Sequence, residues 1–200
     1  MTKSDPSDKA VAILNSARVL MMDRGYNGFS FRDIAAEVGI KSASIHYHYA
    51  TKADLAEATA KAYREAFDDA MDDITAPSAS DKLRAYGTLF VTTLRDQGGL
   101  CLGGVLASDA STLPDQVRNE VIAFFQSQYN WIAKVLRDGQ SSGEFRTEFE
   151  AQTYAKMYVS SLEGAMMVAR AIGHPEDLEM ALETFIQLIQ KTPAPAPALS

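Results

Sequence analysis

His46-Tyr47-His48-Tyr49 is the most chemically loaded stretch of this 200-residue sequence. Two imidazoles and two phenols in a row could ligate a metal, move protons, or line a surface that reads another molecule. Spacing decides among these. Histidines that share a metal on a helix stand three or four apart, so that both point one way. His46 and His48 are two apart, about 200° around a helix axis, and face away from each other. On a strand they would share a face. The preceding Ser42-Ala43-Ser44 and the following Thr51-Lys52-Ala53-Asp54, which has the form of a helix-opening capping box, argue against a strand. No cysteine or further carboxylate stands beside them at ligand spacing, so neither a metal nor another cofactor is expected.

The same rotation sorts the segment into faces. At about 100° per residue, Ile45 and Tyr49 share one side, while Ala43, Ser44 and Tyr47 cluster opposite, with His46 and His48 at the edges. Ile45 and Tyr49 can anchor the helix on Ile34, Ala35 and Val38 of the helix before it. That leaves a small, small, aromatic surface facing outward. Two short helices joined through Val38-Gly39-Ile40 have the length and turn of a helix-turn-helix, whose second helix enters the major groove of DNA. Ala43 and Ser44 are small enough to let the backbone approach base edges, where the Ser44 hydroxyl can donate or accept. Tyr47 offers a ring to a thymine methyl and a hydroxyl to a phosphate. Arg32 can meet a phosphate or a guanine, and Lys52 with the amides at the Thr51 helix start forms a natural phosphate clamp. The alternative for the aromatics is plain core, which suits Tyr49 best.

The elements that must position these residues read as helices almost throughout. Asp8 or Ser7 can cap a first helix carrying Ile13, Leu14, Ala17, Leu20 and Met21, which Gly25 ends. Ser30 to Asp33 resembles a capping box for a short helix through Glu37, and the histidine helix runs to about Tyr49. Further helices are expected at about 51–73, 81–97, 114–140, 150–172 and 175–191, with a short one over 103–110. The expected fold is therefore all-α. Residues 1–50 make a three-helix DNA-binding head, 51–191 a helical ligand-binding and dimerisation domain, and the Pro/Ala-rich stretch 192–200 a disordered tail.

Charge supports that division. The net charge is −7, yet residues 1–52 carry seven Lys/Arg against five Asp/Glu, and the remainder twelve against twenty-one. A mildly basic head on an acidic body fits a DNA reader joined to a domain with another task. No run of 18 apolar residues occurs and the N-terminus is polar, so neither a membrane span nor a signal peptide is expected. Cys101 is the single cysteine, which points to the reducing cytoplasm.

The segments Phe29-Ser30-Phe31-Arg32-Asp33-Ile34-Ala35-Ala36-Glu37-Val38-Gly39-Ile40, Ser44-Ile45-His46-Tyr47-His48-Tyr49 and Thr51-Lys52-Ala53-Asp54-Leu55 resemble the TetR family of bacterial transcriptional repressors. The resemblance is close over about residues 8–56 and beyond that rests on an all-helical length. It implies a homodimer that binds double-stranded operator DNA and is released by a small-molecule effector, the last two long helices forming an intersubunit four-helix bundle. By motif position it assigns DNA contacts to Arg32, Ser42, Ala43, Ser44, His46, Tyr47, His48 and Lys52. This chain departs from the common pattern at Lys41, where a capping serine often stands, and at His46, where a tyrosine is usual.

Two apolar stripes are candidates for the dimer contact. One carries Tyr154, Met157, Tyr158, Ser161, Leu162, Ala165, Met166 and Ala169; the other Leu178, Leu182, Phe185, Ile186 and Ile189. Both equally fit core within one domain. Phe90, Phe124, Tyr129, Met157 and Met166 are candidates to line a pocket for a mostly apolar effector. Cys101, after a glycine pair and near the start of the short helix, is a candidate sensor, since a helix start lowers a thiol pKa. The stretch resembles a TetR subgroup with a cysteine near this position, some members of which respond to oxidants or electrophiles; a small buried residue is the competing reading. An enzyme is not expected, because GxSxG, HExxH and P-loop motifs are missing and the three histidines have no convincing acid–base partners. A helical adaptor binding another protein is the third alternative.

Overall fold

The computed structural model describes residues 6–191. The tail expected to be disordered, 192–200, lies outside the described residues. Within them the chain forms nine helices: α1 (Pro6–Arg24), α2 (Phe31–Val38), α3 (Ser42–His48), α4 (Lys52–Asp72), α5 (Ala79–Gln97), α6 (Leu102–Ser108), α7 (Asp115–Ser141), α8 (Ala151–Ile172) and α9 (Glu176–Ile189). An isolated antiparallel bridge pairs Phe145 with Gln190. No helix of the described residues is long and apolar enough to cross a membrane.

Local chemistry explains most of the boundaries. The Asp33 carboxylate accepts from both the backbone N–H and the hydroxyl of Ser30, at 2.7 and 2.6 Å, and starts α2. Thr51 and Asp54 exchange the same kind of bonds at the start of α4, and the Glu150 carboxylate accepts from Gln152 and Thr153 at the start of α8. Gly39 closes α2 in the left-handed region, at φ 72° and ψ 35°. A Cβ there would meet no atom within 4 Å, so backbone conformation alone selects glycine. Gly39→Ala is accordingly expected to cost about 1 kcal/mol of stability, read as a lower denaturation midpoint at unchanged slope.

The described residues divide into two compact units, one made of residues up to 73 with 92–128, the other of residues 74–91 with those from 129 onward. The first holds the core that supports α3. Ile13, Ala17, Met21, Ile34, Ile45 and Leu55 are fully buried there, in one cluster with Leu102, Leu106, Leu113 and Val117. The three-helix head therefore does not close its core with residues 1–50 alone; α4, α6 and the start of α7 complete it. In the same unit α6 approaches α7 so closely that a Cβ at Gly103 would lie 2.2 Å from the Phe124 ring.

The second unit is built on the packing of α8 against α9. Tyr158 is fully buried between Phe185, at 4.7 Å between ring centroids, and Tyr86, at 5.8 Å. Its hydroxyl donates to the Leu83 carbonyl at 2.8 Å, which satisfies the polar atom this burial would otherwise strand. The same burial pushes its pKa well above the usual tyrosine range. Arg84 grips Glu183 with two parallel bonds of 2.8 and 3.1 Å.

Periodicity had offered two stripes for a dimer contact; the structure buries the second within the protomer and divides the first, leaving Met157 and Ser161 exposed. Tyr158, Leu162, Met166 and Ala169 of α8 are buried within the unit, as are Leu178, Leu182, Phe185, Ile186 and Ile189 of α9. The stronger apolar face of each helix is spent on the protomer's own core. A second, weaker face stays exposed: Met157, Met167, Val168 and Ile172 on α8, Met180 and Leu188 on α9.

Candidate nucleic-acid interface

α3 is held from one side. Ile45 is fully buried, and Tyr49, just past the helix end, packs half-buried against the same core. Burying an isoleucine side chain stabilises by about 1.5–3 kcal/mol, a large share of what a seven-residue helix needs to stay docked. With that face fixed, the opposite face is delivered to solvent. Tyr47 is 84% exposed, and Ala43 and His46 are exposed, with Ser42, Ser44 and His48 half-buried at the margins. An aromatic ring that open contributes nothing to the protomer's core.

The neighbouring rings pack edge-on. His48 meets the Tyr47 ring edge-on at 5.2 Å, and His46 meets Phe31 edge-on at 4.7 Å. The Nδ1 of His46 lies 3.3 Å from the Ala50 carbonyl. An open groove on this face is lined by Lys9, Lys41, Ala43, Ser44, Tyr47 and His48. Lys9 was not singled out from sequence. Its place at the start of α1 in a head of net positive charge is the signal that could have found it.

Arg32 is exposed at the start of α2, available to a phosphate. Lys52 is placed otherwise than expected. Its ammonium donates to the Phe29 carbonyl at 2.5 Å and sits over the Phe29 and Tyr26 rings, 4.3 and 4.9 Å from their centroids. Burial pulls its pKa below the usual lysine range, with the Asp33 charge opposing. Here Lys52 fastens α4 to the turn before α2, and the amide of Asp54 in the supposed clamp is already taken by the Thr51 hydroxyl.

The residues proposed for an effector pocket are divided between the two units. Phe124 borders a small cavity in the first unit with Ala60, Tyr63, Leu102, Leu106 and Val121, barely large enough for a water molecule. Phe90, Tyr129, Met157 and Met166 belong to the other unit. Met157 and Met166 stand nine residues apart, on opposite sides of α8, so Met166 is fully buried while Met157 is 50% exposed. Met157 is therefore a surface residue of the protomer. Cys101 caps α6 and is 2% exposed, with the Tyr63 hydroxyl 3.7 Å from its sulfur. That is the setting of a small buried residue, whereas a reactive thiolate needs access to solvent.

Comparison with known proteins places this arrangement. Residues 13–59 match the family described as bacterial regulatory proteins, tetR family, and residues 79–185 match the tetracyclin repressor-like C-terminal domain. The chain belongs to the TetR family. TetR-family proteins are DNA-binding regulators of transcription, and α2, α3 and the turn at Gly39 form the helix-turn-helix of this member. A TetR-family transcriptional regulator from Agrobacterium tumefaciens is 32% identical and superposes with a TM-score of 0.90, over 94% of this chain and 100% of that one. A TetR regulator from Legionella pneumophila is 30% identical, with a TM-score of 0.83 over the same shares. The transcriptional repressor DhaR of a Mycobacterium species is 24% identical over 85% of this chain and 86% of its own. The TetR match spans the head and the helical domain alike, so the fold expected from the motif extends through the chain.

Proposed function

We propose that this protein is a homodimeric repressor that reads a two-part operator with α3 and leaves it when a small molecule binds its helical domain. Residues 1–50 act as the reading head and residues 51–191 as the effector and dimerisation domain. The observation that carries the reading is Tyr47, 84% exposed on a helix whose opposite side is fixed by the fully buried Ile45. The fold anchors the helix there by Ile45 and leaves its aromatic residue unused by the core. Ala43, Ser44, His46 and His48 surround it with small and hydrogen-bonding groups suited to base edges, and Lys9, Arg32 and Lys41 supply phosphate contacts.

Dimerisation has its own support. Ser160, Ser161, Gly164 and Ala171 are exposed on the same face of α8 as Met157, Val168 and Ile172. A Cβ at Gly164 would meet nothing within 4 Å in the protomer, so its smallness serves no contact there. Small residues between Met and Val side chains suit a helix of a second copy crossing closely. For release, an apolar effector opening the cavity at Phe124 must displace the Tyr63 or Phe124 ring, 5.5 Å apart, and Tyr63 is on α4, the helix that follows the reading head.

Selection of bound duplexes from a random pool tests the reading. It is expected to yield an inverted repeat whose half-sites lie about one helical turn apart or a multiple of it. Recovery of no common sequence at moderate salt would count against it.

A further inference from the structure

The turn that follows α1 is gripped from a distant part of the chain. Gly25 leaves the helix at φ +73°, and the next amide, Tyr26 N–H, donates to Oδ2 of Asp109 at 2.7 Å. The contact is tight: a Cβ on Gly25 would stand 2.6 Å from the same oxygen. Beside it, Asn27 donates its side-chain amide to the Thr112 hydroxyl at 2.8 Å. A carboxylate near a helix C-terminus opposes the helix dipole, so the amide bond and not the dipole holds Asp109 there.

Asp109 sits on a stiff corner between α6 and α7. The Thr112 amide and hydroxyl both donate to the Asp109 carbonyl, at 2.8 and 3.0 Å. Arg118, one turn into α7, donates to the carbonyls of Ala110 and Leu113 at 3.1 and 3.2 Å. Leu106 and Leu113, on either side of the corner, are buried in the core that supports α3. The corner also reaches α4, where the Gln116 amide donates to Asp54 and Glu57 at 3.0 and 3.1 Å. It thus holds the head before α2 and after α3, bracketing the helix-turn-helix.

We propose that Asp109 is a positioning residue for operator recognition: its grip on the Gly25–Tyr26 turn sets the tilt of the reading head, and with it the half-site spacing that the dimer accepts. Asp109 touches no base; it acts through α1 and the helices packed on it. The proposal rests on the dimeric DNA-reading function above. Each base pair added between half-sites moves the second by about 3.4 Å and turns it by about 34°, so a rigid head discriminates spacings and a loosened one does not.

The test is operator affinity across duplexes whose half-site spacing is varied by one and two base pairs either way, for wild type, Asp109→Ala and Asp109→Asn. Wild type is expected to lose about tenfold per base pair away from its best spacing. In Asp109→Ala that profile flattens to within about threefold, with a roughly five- to tenfold loss at the best spacing. Asp109→Asn keeps an oxygen acceptor for Tyr26 N–H and is expected to restore the wild-type profile. An Asp109→Ala profile as sharp as wild type, whether or not affinity falls uniformly, overturns the proposal. Should Asp109→Ala fail to fold, Thr112→Val carries the test: a flattened profile supports the latch and an unchanged one overturns it. Absence of wild-type binding at every spacing would instead overturn the DNA reading, and the latch with it.

Discussion

A Val168→Asp, Leu188→Asp double variant is expected to run as a monomer and to lose roughly 10²- to 10⁴-fold in operator affinity, while keeping its helix content. Both residues are more than half exposed in the protomer, at 56% and 62%, so a charge there reaches water and the fold tolerates it. In the dimer the same positions would be covered. A carboxylate at each then meets its symmetry mate or an apolar partner without compensation. The loss on DNA follows from linkage. Once one head is seated, the dimer presents the second at high local concentration, and a monomer forfeits that gain. Analytical ultracentrifugation and an operator titration on the same preparation check the two halves together. A variant that stays dimeric would place the interface elsewhere.

Tyr47→Ala carries the second large effect. It is expected to weaken operator binding by about 2–3 kcal/mol, roughly 30- to 150-fold, since a dimer loses the ring twice and each loss sits near the low end of the about 1–3 kcal/mol that a good base contact is worth. Its thermal midpoint is expected to stay within a degree or two of wild type, because a ring 84% exposed supports no core. That separation between binding and stability distinguishes a reading residue from a structural one. Calorimetric unfolding next to fluorescence anisotropy on labelled operator checks it. Equal losses in both would return Tyr47 to the fold.

Much of this was legible in the sequence because it is local. Helix starts at Ser30 and Thr51 announce themselves by side chains within four residues, and the orientation of α3 follows from the angle between Ile45 and Tyr47 alone. Contacts across the chain were not legible. Lys52 next to a helix start reads as a phosphate clamp until the Phe29 carbonyl, 23 positions upstream, comes within 2.5 Å of its ammonium. Asp109 lies 83 positions from the amide it holds, and no local pattern links them. The α8 and α9 stripes show a third limit. Periodicity tells which face of a helix is buried, not whether its own chain or a second copy buries it. Met157 and Met166 were grouped by residue type, although nine positions put them on opposite sides of one helix.

The decisive measurement is an anisotropy titration of the purified protein against its selected operator and a scrambled duplex of equal length, at two salt concentrations. The account predicts operator affinity at least about 10³-fold above scrambled DNA, with both weakening as salt rises and the preference abolished in a Tyr47→Ala, Ser44→Ala double variant. Equal affinity for the two duplexes at fixed salt, or a preference that survives loss of both side chains, would contradict the claim that α3 reads the sequence.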